Sequence, residues 1–179
     1  MYLYSSMSIK EKDLYEPVRA ALERSFTAIG KRTVSETAAT KGLGETLNAL
    51  IPPGREILFR FVNRKPDIVG YMETNLGNTI FTAEVKRDSL TIWNIYQAKM
   101  YKELFGATFG FLISTEPIPE ELKRLLRNIP IMLRSVGDYT FHFLALARFD
   151  LENGTFTDWF ANYHPQDMDP FTHLKSLSF

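Results

Sequence analysis

The sequence predicts an α/β domain with a mixed central sheet covered by helices, and three observations lead there. Segments with helical apolar spacing alternate with short runs rich in β-branched and aromatic residues. The order is helix, three strands, helix, strand, helix, then a terminal β-hairpin. The mostly apolar run Ala107–Ser114 follows a helix-length segment, as a buried parallel strand follows a crossover. The 179 residues suit one domain, with a core over about residues 9–128 and a hairpin and tail over 129–179.

Each element has a local reason. From Ile9 to Phe26, Leu14, Val18, Ala21, Leu22 and Ser25 recur on one side of a helix, Pro17 threatens a late start or a kink, and Gly30 ends it. Lys31 to Gly54 is polar and broken by Gly42, Gly44 and Pro52-Pro53-Gly54, with room for a short helix over Glu45–Ala49. Strands are predicted over Glu56–Val62, Asp67–Glu73 and Thr79–Lys86, the last two joined by a turn around Leu76-Gly77. Asp88 and Ser89 can cap a helix that runs to Phe105 and stops at Gly106. A helix over Glu120–Asn128 and a short strand over Ile129–Leu133 come next. Tyr139–Asp150 and Thr155–Phe160 flank Glu152-Asn153-Gly154 as a hairpin, and the tail from Asn162 with its two prolines reads as loosely packed.

Composition narrows the function classes. Hydrophobic residues make up 45% and charged residues 23%, with 21 Lys+Arg balanced by 21 Asp+Glu. Proteins that coat nucleic acid are strongly basic, so any nucleic-acid contact here needs a local patch. Arg55, Arg60, Arg64, Lys65, Arg87 and Lys99 can supply one, and ordinary surface scatter explains them equally. The absence of Cys excludes disulfides and thiolate metal sites. His142, His164 and His173 have no paired ligand spacing. No run is apolar enough to span a membrane, and the N-terminus lacks the order of a signal peptide, so a cytoplasmic protein is expected.

Chemistry concentrates in a split acidic motif: Pro66-Asp67 at the start of one strand and Glu84-Val85-Lys86 at the end of the next. In a hairpin centred on Leu76-Gly77, Asp67 faces Lys86 and Glu84 lies diagonally beside Asp67. Opposed side chains sit about 5 Å apart at Cβ and diagonal ones about 7–8 Å. Two carboxylates so placed can converge on one cation at oxygen distances of about 2.1 Å. The Val85 carbonyl can add a ligand, and Lys86 can steer a water. The bland alternative is a cross-strand charge pair after a turn. Against it, Ile68, Val69, Ile80, Phe81 and Val85 make the surroundings apolar, where unpaired charge is costly.

Pro66-Asp67, the hairpin, Glu84-Val85-Lys86 and the following helix together resemble the PD-(D/E)xK nuclease superfamily, whose core order of helix, three strands, helix, strand matches Ile9 to Ser114. The resemblance implies a restriction-endonuclease-like fold and a Mg²⁺-dependent nuclease, with Mn²⁺ able to substitute. It implies Asp67 and Glu84 as metal ligands and Lys86 as the residue positioning the attacking water. It further implies Gln97, in a stripe of Leu90, Trp93, Gln97, Tyr101 and Leu104, as a support beside the active site; a satisfied core amide is the alternative. An acid on the first helix often completes the metal shell in this superfamily. Helical phase selects Glu11, in line with Val18 and Leu22, over Glu16, although an acid at a helix start also suits the dipole.

The expected partner is DNA, with RNA not excluded, and related nucleases pair as homodimers to cut both strands. Two alternatives stand beside this. Neutral net charge favours a noncatalytic nuclease-like DNA-binding or assembly module. A surface ion-pair cluster on a structural domain is the other.

Overall fold

A computed structural model of the chain describes residues 9–41, 43–50, 65–74, 77–129, 132–133, 143–161 and 169–176. Helix α1 (Glu11–Ala28) opens where the Asp13 carboxylate accepts the Lys10 amide at 3.0 Å. It runs continuously through Pro17, whose missing N–H falls on the exposed side, so the expected late start does not occur. Leu14, Tyr15, Val18, Ala21, Leu22 and Phe26 form its buried stripe. The helix ends at Gly30, where φ is +77° and a side chain would be strained.

Strand β1 (Thr33–Thr37) was not expected, because it lies in the polar stretch and buries only Ser35 fully. Helices α2 (Ala38–Lys41) and α3 (Glu45–Leu50) follow. The expected strand over Glu56–Val62 lies outside the described residues. Strands β2 (Ile68–Thr74) and β3 (Gly77–Lys86) form the hairpin. Helix α4 (Ile92–Leu104) starts at Thr91, whose amide donates to Asn94 Oδ1 at 2.8 Å, so Thr91 and Asn94 do the capping expected of Asp88 and Ser89. Gly106, at φ +59°, follows its end.

Next come β4 (Phe109–Ser114), α5 (Glu120–Asn128), β5 (Phe143–Asp150), β6 (Thr155–Phe160) and α6 (Pro170–Ser176). The predicted strand at Ile129–Leu133 is not seen among the described residues; the Met132 amide turns back to the Ile129 carbonyl at 3.1 Å. The tail is not loose where it is described, since Phe171 and Leu174 of α6 are buried in the core.

Six strands form one mixed sheet in the order β1-β2-β3-β4-β5-β6. The first three are antiparallel, β3, β4 and β5 are parallel, and β6 returns antiparallel. The terminal hairpin therefore belongs to the central sheet, and the core extends well past residue 128. Lys123 ties α5 to β6 through Asp158 at 2.6 Å. Among the described residues no helix is long and apolar enough to cross a membrane.

Alternation splits the sheet into two faces. Ile68, Met72, Phe81, Ala83, Val85 and Phe111 pack with α1 and α6. Val69 and Ile80 pack with Tyr101 and Phe105 of the α4 segment, and Leu112, Leu144 and Leu146 with Ile95, Ala98 and α5. Gly70 pairs with Phe81 across the hairpin, and a Cβ at Gly70 would collide with the Phe81 ring and with Ser35.

Candidate active site

The β2–β3 register runs from Thr74↔Gly77 to Ile68↔Ala83. One more step places Asp67 opposite Glu84. Asp67 therefore does not face Lys86: Gly77 already belongs to β3, and the pairing is two residues tighter than expected. Because the shift is even, Asp67, Glu84 and Lys86 keep a common face; an odd shift would have turned the acids to opposite sides.

Both acids are buried, Asp67 at 6% and Glu84 at 2% exposure. Each is held by the other's strand. The Val85 amide donates to Asp67 Oδ2 at 2.8 Å, and the Asp67 amide donates to Glu84 Oε1 at 3.3 Å. These bonds fix both carboxylates but do not neutralise them. Burial raises the Asp67 pKa above its usual range, despite the Val85 amide and the Lys86 charge that oppose the shift. Burial, then the charge of Asp67, pushes Glu84 up to about 8. Below that pH the free pair holds a proton, the state expected of two acids awaiting a cation.

The Ile80 and Lys86 carbonyls accept from Thr108 and Thr115 on the β4 side, so even positions of β3 turn their backbone toward β4 and Val85 turns its own toward β2. Two carboxylates with a backbone carbonyl beside them form an all-oxygen set that suits a hard divalent ion.

Lys86 stands over this group, with Nζ 3.4 Å from Glu84 Oε2 and 3.6 Å from Glu11 Oε1. Glu11 reaches the site through Lys86 and through Tyr15, whose hydroxyl lies 3.5 Å from Glu11 Oε1. Glu16 instead pairs with Arg19 on the exposed side. Among the described residues no three acids or histidines gather as one metal-binding cluster, so Glu11 sits beside the Asp67–Glu84 pair without joining it. Tyr15 is the neighbour that sequence reasoning passed over. Its hydroxyl donates to Glu11, and burial together with the charges of Asp67, Glu11 and Glu84 pushes its ionisation far up. Its place one turn after Glu11 on the same helix is the signal that marks it.

Gln97 is half-buried on α4 and makes no hydrogen bond to Asp67, Glu84 or Lys86 among the described residues. Its level in the fold still follows from its neighbours. Tyr101 shares a core cluster with Val69. Gln97 is one helical turn from Tyr101, about 6 Å, and Asp67 is two strand residues from Val69, about 6.6 Å. Of the stripe expected around it, Leu90 and Tyr101 are buried and Leu104 packs against the core, but Trp93 is not part of the buried face. Ile95, Ala98, Tyr101 and Lys102 face inward, while Trp93 is 74% exposed. Of the expected basic patch, Arg55, Arg60 and Arg64 lie outside the described residues, and Lys99 pairs with Glu103 at 3.4 Å.

A second buried charge lies away from this centre. Lys102 is 2% exposed, and burial lowers its pKa to about 8. Its stem and Leu144 flank Gly110, where an added Cβ would come within 3.0 Å of both.

No family model, curated protein or solved structure matches the chain. A functional reading therefore rests on these residues and their arrangement.

Proposed function

We propose that this chain is a Mg²⁺-dependent nuclease of restriction-endonuclease-like fold that hydrolyses phosphodiester bonds in DNA. The observation that carries the reading is the buried Asp67–Glu84 pair, each acid anchored by a backbone amide from the other's strand, with Lys86 beside it. Asp67, Glu84 and the Val85 carbonyl would hold the cation, with Glu11 close enough to contribute through water. Bound there, Mg²⁺ (or Mn²⁺) supplies Lewis-acid stabilisation of charge on the phosphoryl oxygens.

The chain's own groups do the rest. Lys86 orients the attacking water, and its ammonium offsets the negative charge that builds on the phosphoryl group. Glu11 and Glu84 fix that ammonium from two sides. Tyr15 donates to Glu11 and helps hold that acid beside Lys86, while the Val85 amide fixes the Asp67 carboxylate. Gln97, level with Asp67 on α4, supports a water or phosphate oxygen.

The purified protein is expected to cut plasmid, single-stranded DNA or RNA with Mg²⁺ or Mn²⁺. Asp67→Asn and Lys86→Ala should each abolish the cut, and activity surviving both would sink the reading. The ion pairs that occupy Lys86 favour one competitor, a noncatalytic nuclease-like module that binds DNA or assembles with other proteins. Calorimetry with Mn²⁺ separates the two: a retired site gives no binding heat that depends on Asp67 and Glu84.

A further inference from the structure

The carboxyl ends of the parallel strands carry a feature that the nuclease reading does not use. Lys86, Ser114 and Arg148 are register partners across β3, β4 and β5, so they lie in one row on one face. Thr115 ties the backbone of Lys86 and Arg87 to the Arg148 side chain. Its amide donates to the Lys86 carbonyl at 3.3 Å, its hydroxyl to the Arg87 carbonyl at 2.6 Å, and its own carbonyl accepts Arg148 Nε at 3.2 Å. Asp88, paired with Arg87 at 3.1 Å, offsets part of that charge. The Ser114 hydroxyl holds the Asp88 carbonyl at 2.8 Å, which pins the segment leading into α4 against the same strand ends.

Two turns of α4 then present an exposed stripe of Trp93, Tyr96 and Met100. Trp93 is 74% and Tyr96 50% exposed, with ring centroids 5.9 Å apart and planes tilted by 41°. Single exposed apolar residues are ordinary, but adjacent rings beside a catalytic cluster are not. Rings next to a cationic row match the two faces of an unpaired nucleotide: a flat base to stack and a phosphate to neutralise. In a duplex the bases are already stacked on one another and cannot use such rings.

We propose that Trp93 and Tyr96 are a stacking platform for unpaired bases, and that Lys86, Arg87 and Arg148 track the phosphates, so that the chain engages single-stranded nucleic acid or single-stranded arms of a branched molecule. The inference rests on the nuclease reading for the cut but not for the binding. The platform positions the strand so that the phosphate following the stacked base reaches Asp67 and Glu84.

The test is fluorescence anisotropy with a labelled oligothymidylate and with a duplex of equal length, in EDTA, so that no cut intervenes. Trp93→Ala is expected to weaken oligothymidylate binding by about 5- to 100-fold and to leave duplex binding unchanged. Trp93→Phe should restore most of the loss, since it keeps a ring. Arg148→Ala should weaken both ligands and lower the salt slope by about 1. Equal affinity of wild type and Trp93→Ala for the oligothymidylate overturns the proposal, even if the protein cuts duplex DNA. Oligothymidylate binding that depends on Trp93 upholds it, even if no nucleic acid is cut. Sedimentation of both proteins gives a further check. A dimer that Trp93→Ala dissociates, with oligothymidylate affinity unaltered, assigns the patch to a second copy of the chain and overturns the proposal.

Discussion

Among the described residues, charge is buried at two places, and they differ in what surrounds it. Glu84 and Lys102 are each 2% exposed, and burial drives the pKa of each to about 8 from opposite sides. Glu84 sits with a second acid and beside a lysine. Lys102 lies along Gly110 and Leu144, with the charges of Glu103 and Lys99 acting on it. A perturbed pKa therefore does not by itself mark a site. Two buried acids converging with a lysine make the stronger signal, and among the described residues the Glu84 end of the sheet carries it.

Substitution should separate the two places most sharply in catalysis. Lys86→Ala is expected to lower DNA cleavage by about 10²–10⁴-fold and Asp67→Asn to reduce it to background, measured by plasmid nicking. Lys102→Met should leave cleavage unchanged, and a loss there would erase the distinction. Metal affinity is the next largest effect. Binding Mn²⁺ must displace the proton that Glu84 holds below about pH 8. Calorimetric affinity should therefore rise about tenfold per pH unit up to that point and then level off. The Lys102→Met protein should show the same profile.

Stability should respond to pH with opposite signs at the two places. The Glu84 pKa in the metal-free folded protein lies above its ordinary value of 4.5, so the folded state holds the extra proton. Its contribution is full below about pH 4.5 and is lost as pH rises toward 8. The Lys102 pKa lies below its ordinary value of 10.5, so the unfolded state holds the extra proton, and stability is regained as pH rises from 8 toward 10.5. Thermal melts in EDTA should show Glu84→Gln removing the first slope and Lys102→Met the second.

Much of this arrangement was legible because its signals are local. Ile68–Thr74 and Gly77–Lys86 carry β-branched residues bounded by turn residues, and the apolar run at Phe109–Ser114 is buried throughout. β1 was not legible, since an edge strand of sequence TVSET has almost nothing apolar to bury. On α4, Trp93 was misassigned because it looks like a core residue by type, and only packing shows Ile95 and Ala98 facing inward instead, while Leu90 and Tyr101 of the expected stripe are buried. The hairpin register was missed by two residues because a glycine was placed in the turn when it begins the strand. The acids were paired correctly as to face because strands repeat every second residue, so an even error leaves the side unaltered.

The contact between Gly70 and Phe81 sets limits on how this protein can drift. Position 70 admits no side chain without moving either an aromatic ring or Ser35 of the neighbouring strand. The ring cannot easily yield, because Phe81 lies 5.0 Å from Phe26 in the core. Three residues along the strand stands Asp67. A family of sequences descended from this chain would tolerate exchange over most of its surface, yet hold an empty position inside the hairpin as strictly as the carboxylate at its end.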